Sequence, residues 1–265
     1  MSLQVLVAAM GQNVHSLAEQ MNLKSNAIII NQDDYFGYEE FTHGEAKIKA
    51  YTFAERGVGL SRNNALLRAD SDIVLFSDED IVLNSSYPEM IAKEFKLFPH
   101  ADIILFNVFV DERRSTYRNL EHKRVRWFNY GRYPAYSIAA RVKSLHEANI
   151  TFSLLFGGGA KYSNGEDSLF LRDCLKKGLK IYGSPVNIGR EIYRESTWFQ
   201  GYNEKFFYDR GVLYHFLYGR MAKLLALRFL LAKKGEICQE IKLKQAYRLM
   251  KSGIEQKLEF EEGRI

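Results

Sequence analysis

The chain opens on an apolar, β-branched run, Leu3 to Ala9, which Gly11-Gln12-Asn13 breaks. An unbroken apolar run bounded by turn residues predicts a strand buried on both faces, as in a parallel sheet. Val14 to Met21 then predicts a short helix, Ala27 to Ile30 a second buried strand and Tyr51 to Ala54 a third. Residues 35 to 47 are polar and aromatic, have no clear period and predict no element. After Glu55-Arg56-Gly57-Val58-Gly59-Leu60 a helical pattern starts, with Ser61 as its expected N-cap, and ends near Ala69-Asp70. Ile73 to Phe76 predicts a buried strand, Ser86 to Phe98 a helix with Pro88 near its start, and Asp102 to Val110 a further strand.

Beyond this point the pattern loosens. Residues 111 to 134 interleave Arg113, Arg114, Arg118, Lys123, Arg124, Arg126 and Arg132 with Trp127, Tyr130 and Tyr133. Such a stretch either binds single-stranded nucleic acid or sugars, or is a solvated loop with snorkelling arginines. Ile138 to Leu145 fits a strand or a helix. A helix from Glu166 to Lys177 stops at Gly178, Leu179 to Tyr182 predicts a short strand, and residues 183 to 208 read as irregular around Ser196-Thr197-Trp198-Phe199. From Gly211 the pattern is helical, with a break near Gly235. Between Arg220 and Lys251 nine Lys/Arg face two acids, Glu236 and Glu240, amid many leucines. This segment is either a helical hairpin packed on the domain or a basic amphipathic element on an anionic membrane surface. The expected organisation is an α/β domain over 1–205 and a basic helical segment over 206–265.

Composition narrows this picture. With 265 residues, 46% hydrophobic and 26% charged, the chain is globular rather than disordered. The formal net charge of +5 fits an anionic partner: a nucleotide, a lipid surface or nucleic acid. Cys174 and Cys238 stand far apart, which fits a reducing, cytosolic setting better than a disulfide framework. Met1 to Val7 has no basic leader and is not expected to be a signal peptide. The longest apolar stretch, Met221 to Ala232, is interrupted by Lys223 and Arg228 and is too short to span a membrane.

The candidate chemistry sits where apolar runs end in acids. Ile73 to Phe76 runs into Asp78, Glu79 and Asp80, and Ala27 to Ile30 runs into Asn31-Gln32-Asp33-Asp34. Gathered carboxylates repel one another and are costly to desolvate, so a cation belongs beside them. Ligands of open α/β sheets bind beyond the carboxyl ends of the strands, and carboxylate oxygens suit Mg²⁺ or Mn²⁺ shared with phosphates. The bland alternatives are an acidic helix cap and a simple turn. Arg62 either meets a phosphate or the carboxylates, or lies on the surface. Gly157-Gly158-Gly159 either lets another molecule approach bare backbone or is a hinge. Glu166 and Asp167 either suit the helix dipole of a first turn, or one takes a proton from a substrate hydroxyl.

In order, these pieces resemble the nucleotide-sugar-dependent glycosyltransferases of family 2. The residues that carry the resemblance are the acid after the second strand, Gly57-Val58-Gly59-Leu60-Ser61-Arg62-Asn63-Asn64-Ala65, Asp78-Glu79-Asp80 and Gly165-Glu166-Asp167, over about residues 3 to 200. The tail from Gly201-Tyr202-Asn203-Glu204-Lys205 resembles bacterial enzymes that assemble capsular or other surface polysaccharides. The resemblance implies a GT-A fold: Rossmann-like, with a mostly parallel central sheet flanked by helices and a C-terminal helical appendage. It implies that Ala8, Ala9, Asp33 or Asp34, Arg62, Asp78, Glu79, Gly158 and Gly159 bind the nucleotide sugar. Asp80, with Asp78, would hold a divalent Mn²⁺ or Mg²⁺, and Asp167, beside Glu166, would be the catalytic base. Trp198 would face the acceptor.

The implied reaction is an inverting transfer from a nucleotide-diphosphate sugar, a UDP-sugar first, to a hydroxyl of a saccharide or lipid-linked acceptor. It would take place in the cytoplasm or at the inner face of the plasma membrane, without a nucleic-acid partner. The sequence departs from the family pattern in having Asn31-Gln32-Asp33-Asp34-Tyr35 where Asp-Asp-Gly-Ser is common, and in lacking Pro-x-Tyr-Asn after the first strand. The alternative from another class is a nucleotide-sugar or polyanion binding module without turnover, at the membrane surface.

Overall fold

The computed structural model describes residues 1–111, 117–192 and 201–256. These divide into two units, Met1–Ala160 with Glu166–Glu195 and Lys161–Gly165 with Ser196–Ile265.

In the first unit the predicted apolar runs are strands. β1 is Leu3–Met10, β2 Asn26–Gln32, β3 Gly37–His43, β4 Ala46–Phe53, β5 Ile73–Asp78 and β6 Ile81–Leu83. β7 is Ile103–Phe109, β8 Lys123–Arg124, β9 Ile138–Arg141 and β10 Ile181–Glu191. The helices are α1 Val14–Gln20, α2 Val58–Leu67, α3 Tyr87–Leu97, α4 Val142–Glu147 and α5 Glu166–Lys176. Among the described residues the strands form one sheet in the order β3-β4-β2-β1-β5-β9-β7-β10-β6, with β8 beside β10. β4, β2, β1 and β5 are parallel neighbours, and so are β7 and β10; β3, β6, β8 and β9 run against them. The fold is the mixed α/β sheet with flanking helices expected of GT-A.

β1, β2 and β5 are apolar nearly throughout because helices cover both faces of the sheet. Val5, Val7, Ile29 and Leu75 pack with Leu17 of α1 and with Ile91 and Phe95 of α3. Parallel register then lines up the strand ends. Ala8 lies opposite Asp78 on one side and Ala9 opposite Asn31 on the other. The carboxyl edge of β2-β1-β5 is therefore one continuous rim of backbone with acids at two of its corners.

Several expectations fail here for physical reasons. Residues 35 to 47 are not featureless: Gly37–His43 pairs antiparallel with β4, which begins at Ala46 rather than Tyr51. This strand is polar because it is a sheet edge, and the Glu40–Lys47 pair at 2.7 Å places charge where a foreign strand would otherwise add. Ser61 is not a cap. The helix starts a turn earlier, at Val58 after Gly57, and Ser61 is buried within it. Ile138 to Leu145 is strand, then helix, hinged at Arg141. β10 runs on to Glu191, through positions read as irregular, and its pairing with β7 shifts register around Asn187. Gly183, Pro185 and Gly189 hid that strand from its composition.

In the second unit, α6 is Glu204–Tyr218, α7 Ala222–Ile237 and α8 Leu243–Glu255. Helix begins at Glu204, before the expected Gly211, with Asn203 accepting from the Phe206 N–H as N-cap. Gly235 lies in the last turn of α7, which ends at Ile237, so the break expected near Gly235 is there. Phe207, Ala222, Ala226, Leu230, Ala246 and Met250 form the core of this unit. α6 and α8 meet on two glycines. A Cβ at Gly211 would collide with the Met250 carbonyl, and one at Gly253 with the Tyr208 carbonyl. Only bare backbone permits that approach. Among the described residues no helix is long and apolar enough to cross a membrane.

Candidate active site

Arg62 is the hub of the site. It sits on the second turn of α2, and its side chain is only 5% exposed. Its Nη2 donates to Asp78 Oδ1 at 2.8 Å and its Nη1 to Glu166 Oε1 at 3.0 Å. Asp167 Oδ1 lies 3.9 Å from Nη1. A strand-end acid and the two acids opening α5 therefore converge on one guanidinium. Its planar fork suits it to bridging separate carboxylates. Phe152 lies under the guanidinium, 5.3 Å from ring centroid to Cζ, and stacks on Phe170 at 4.1 Å. Phe76 meets both rings edge-on. This aromatic floor excludes water, which strengthens each charge interaction above it.

The charges answer to that setting. Burial works against a charged Arg62, but Asp78, Glu166 and Asp167 outweigh it and hold the guanidinium above its ordinary pKa. Burial also pushes Glu166 upward, yet the Arg62 charge and a hydrogen bond from Asp167 leave it below the usual carboxylate range. Asp167 moves the other way. Desolvation and the neighbouring Glu166 charge raise it well above an ordinary aspartate, and Arg62 offsets only part of this. Two adjacent carboxyls under one guanidinium, pushed in opposite directions, form a pair that can hold and pass a proton. Asp167, 26% exposed against 11% for Glu166, is also the more accessible of the two.

The amides flanking Arg62 hold the frame. Asn63 exchanges two hydrogen bonds with the Phe152 backbone, accepting at 2.7 Å and donating at 2.9 Å, and Asn64 donates to Glu55. Three consecutive residues of one helix thus bind the acids, the segment carrying the aromatic floor and the entry loop. Gly157, with φ +109°, has no room for a Cβ because Val58 and Glu166 fill the space. The bare face of Gly159 is occupied by Gly57, and Gly158 accepts from the Val58 N–H. On these sides the glycine stretch packs against the chain itself, while Gly158 is half-buried and Gly159 exposed.

The other candidates lie along the rim. Ala8 and Ala9 are buried in β1. Glu79 accepts from the Met10 N–H at 2.8 Å, so its carboxylate closes the end of β1. Asp33 is partly buried and accepts from the Asp34 N–H, whereas Asp34 is fully exposed and paired with Arg56 at 2.7 Å. Arg56 also donates to the Asp33 carbonyl. Gln32 accepts from the Gly57 N–H at 2.6 Å, and Asn31 exchanges two bonds with the Gln12 backbone. Sequence reading missed Asn31, Gln32 and Arg56, which shape the rim around the Asp33 corner. Trp198, Arg113 and Arg114 lie outside the described residues.

Asp78 and Asp80 close the rim at the β5–β6 turn, both partly exposed, and only Oδ1 of Asp78 is engaged by Arg62. Among the described residues no three His, Cys, Asp or Glu side chains converge as a metal cage. Two hard oxygen donors suit the other common arrangement, in which Mg²⁺ or Mn²⁺ takes its remaining positions from water and ligand phosphates.

Solved structures share this fold. S. aureus TarS 1-349 in complex with UDP-GlcNAc superposes with a TM-score of 0.63 at 16% identity, over 96% of this chain and 82% of that one. The complex of the same TarS fragment with UDP gives 0.57 at 17% identity, over 91% and 74%. At these identities the likeness is one of fold. No curated protein matches the sequence. The family model of glycosyl transferase family 2 matches residues 8–154, more than half of the chain, from the end of β1 to the segment that Asn63 pins. The chain belongs to glycosyl transferase family 2.

Proposed function

We propose that this glycosyltransferase moves a sugar from a nucleotide-diphosphate donor to an acceptor hydroxyl, with inversion, and that Asp167 is the base. The observation that carries this reading is the convergence of Asp78, Glu166 and Asp167 on the buried Arg62. A carboxyl of raised proton affinity that is partly exposed at the rim suits a base that must accept a hydroxyl proton. The UDP and UDP-GlcNAc complexes of the similarly folded TarS support a UDP-sugar as donor. The nucleotide lies along the rim made by Ala8, Ala9 and Asp33, and the diphosphate reaches the Asp78–Asp80 turn.

Asp80, with Asp78, would hold Mn²⁺ or Mg²⁺, which stabilises the diphosphate as it leaves. Asp167 takes the proton of the acceptor hydroxyl as that oxygen attacks the anomeric carbon from the face opposite the departing diphosphate. Arg62 holds Asp78 and Glu166 in place and keeps Glu166 ionised. Trp198 would stack on a saccharide or lipid-linked acceptor, and the product would enter a bacterial surface polysaccharide made at the cytoplasmic face.

Donor hydrolysis tests the reading, because a transferase without acceptor releases some sugar to water. Incubated with a panel of nucleotide sugars and Mn²⁺, the protein is expected to release nucleotide diphosphate from one of them. Asp167→Asn is expected to lower transfer by roughly 10²- to 10⁴-fold with donor affinity retained, and excess chelator to abolish turnover. Full transfer in Asp167→Asn removes the base assignment, and full rate under chelation removes the metal. Donor binding without any turnover by the wild-type protein identifies a non-catalytic module instead.

A further inference from the structure

α7 is apolar on two faces. Its inner face, Ala222, Ala226, Leu230 and Ile237, is buried in the second unit against α6 and α8. Leu224, Leu227 and Leu231 recur at spacings of three and four, so they share a stripe on another side of the helix. Leu224 is 59% exposed and Leu231 58%, and Met221, which leads into the helix, is 52% exposed. With Leu227 at 38%, the three make a contiguous apolar stripe rather than scattered surface leucines. Cations edge this stripe. Arg228 lies toward one side, Lys223 and Lys234 toward the other, Arg220 just precedes the helix, and all four are exposed. Lys223 is ion-paired to Glu255, whereas Arg228 and Lys234 pair with no acid among the described residues. The one acid of α7, Glu236, lies away from the stripe and is taken by Lys233.

We propose that this face of α7 docks on an anionic bilayer, the three leucines entering the headgroup–acyl boundary and Arg220, Arg228 and Lys234 meeting lipid phosphates. The charge pattern selects that occupant. A leucine stripe between rows of long cationic side chains lets the stems lie along the apolar surface while their heads reach phosphate. A second copy of the chain fits poorly, because two-fold pairing of the same face would set like charges against each other. The inference goes beyond the transfer reaction and does not depend on it. Its consequence is positional: an enzyme held at the lipid surface works on acceptors anchored there.

Co-sedimentation of the full chain with vesicles tests it. Binding is expected to vesicles with about 30 mol% phosphatidylglycerol, and not to pure phosphatidylcholine. Leu224→Gln/Leu227→Gln/Leu231→Gln is expected to weaken partitioning roughly tenfold or more. Arg228→Gln/Lys234→Gln is expected to weaken it and to flatten its decline between about 0.1 and 1 M salt. These side chains are exposed, so circular dichroism and vesicle-free donor hydrolysis should match wild type. That assay also reports the transfer site separately from lipid binding. Equal binding to neutral vesicles, or undiminished binding by the triple leucine variant, overturns the proposal. So does micromolar self-association that the same variant abolishes, which would make a second copy the occupant.

Discussion

Arg62 carries its charge over an aromatic floor, against three carboxylates that could not share that corner without it. Removing one partner of a buried ionic cluster commonly costs about 3–5 kcal/mol, because what remains is uncompensated charge. Arg62→Ala is therefore expected to lower unfolding free energy by about that amount in urea titrations. The pH dependence should also change form. In the wild type, Glu166, whose folded pKa is depressed, contributes stability that is lost as pH falls from its ordinary value through the lower folded one. Asp167, whose folded pKa is raised, loses its share as pH rises toward and through that folded value. Without the guanidinium Glu166 and Asp167 both behave in the second way, so Arg62→Ala should gain stability as pH drops from about 8 to 5. Stability that still falls toward acid in that variant would show the cluster to be solvated. Activity offers a separate reading: kcat/KM should decline on the acid side with an apparent pKa above the roughly 4 of an ordinary aspartate. A decline centred at or below that value would assign the proton to another group. At this scale the charged residues were legible in the sequence, because acids that end an apolar run need a counter-charge. Asn31, Gln32 and Arg56 were not. Polar side chains at a strand end or in a loop look the same whether they face water or a neighbouring backbone.

Elements were legible wherever burial is two-sided. β1, β2, β5 and β7 stand out because both faces of each must be apolar. β3 was hidden by its place at the sheet edge, where one side meets solvent, and β10 by glycines and a proline accommodated at register shifts. The α6–α8 contact shows how local such constraints are. Gly211→Ala is expected to cost about 1–3 kcal/mol in thermal unfolding, because its methyl group has only the Met250 backbone to displace. Gly235→Ala, inside α7 with nothing within 4 Å of the added carbon, should instead stabilise by about 0.5–1 kcal/mol. If the two substitutions behave alike, the close packing of α6 on α8 is not what makes Gly211 necessary.

Across the whole molecule, one sheet rim collects acids while the C-terminal helices collect cations, and the net charge of +5 averages the two. The average conceals what matters. The sequence showed that residues 220 to 251 are basic and leucine-rich, but could not show which leucines are spent on the core; the pairing of α7 with α6 and α8 decides that. The rim has a comparable history along the chain. Arg62 reaches Asp78 across 16 residues and Glu166 across 104. Synthesis runs from the N-terminus, so the cation emerges before any of the acids it will hold. Asp78 arrives soon afterwards, while α5 closes the cluster only once most of the first unit has been made. Each carboxylate thus finds a counter-ion already waiting, and the growing polypeptide never has to gather like charges in advance of the residue that reconciles them.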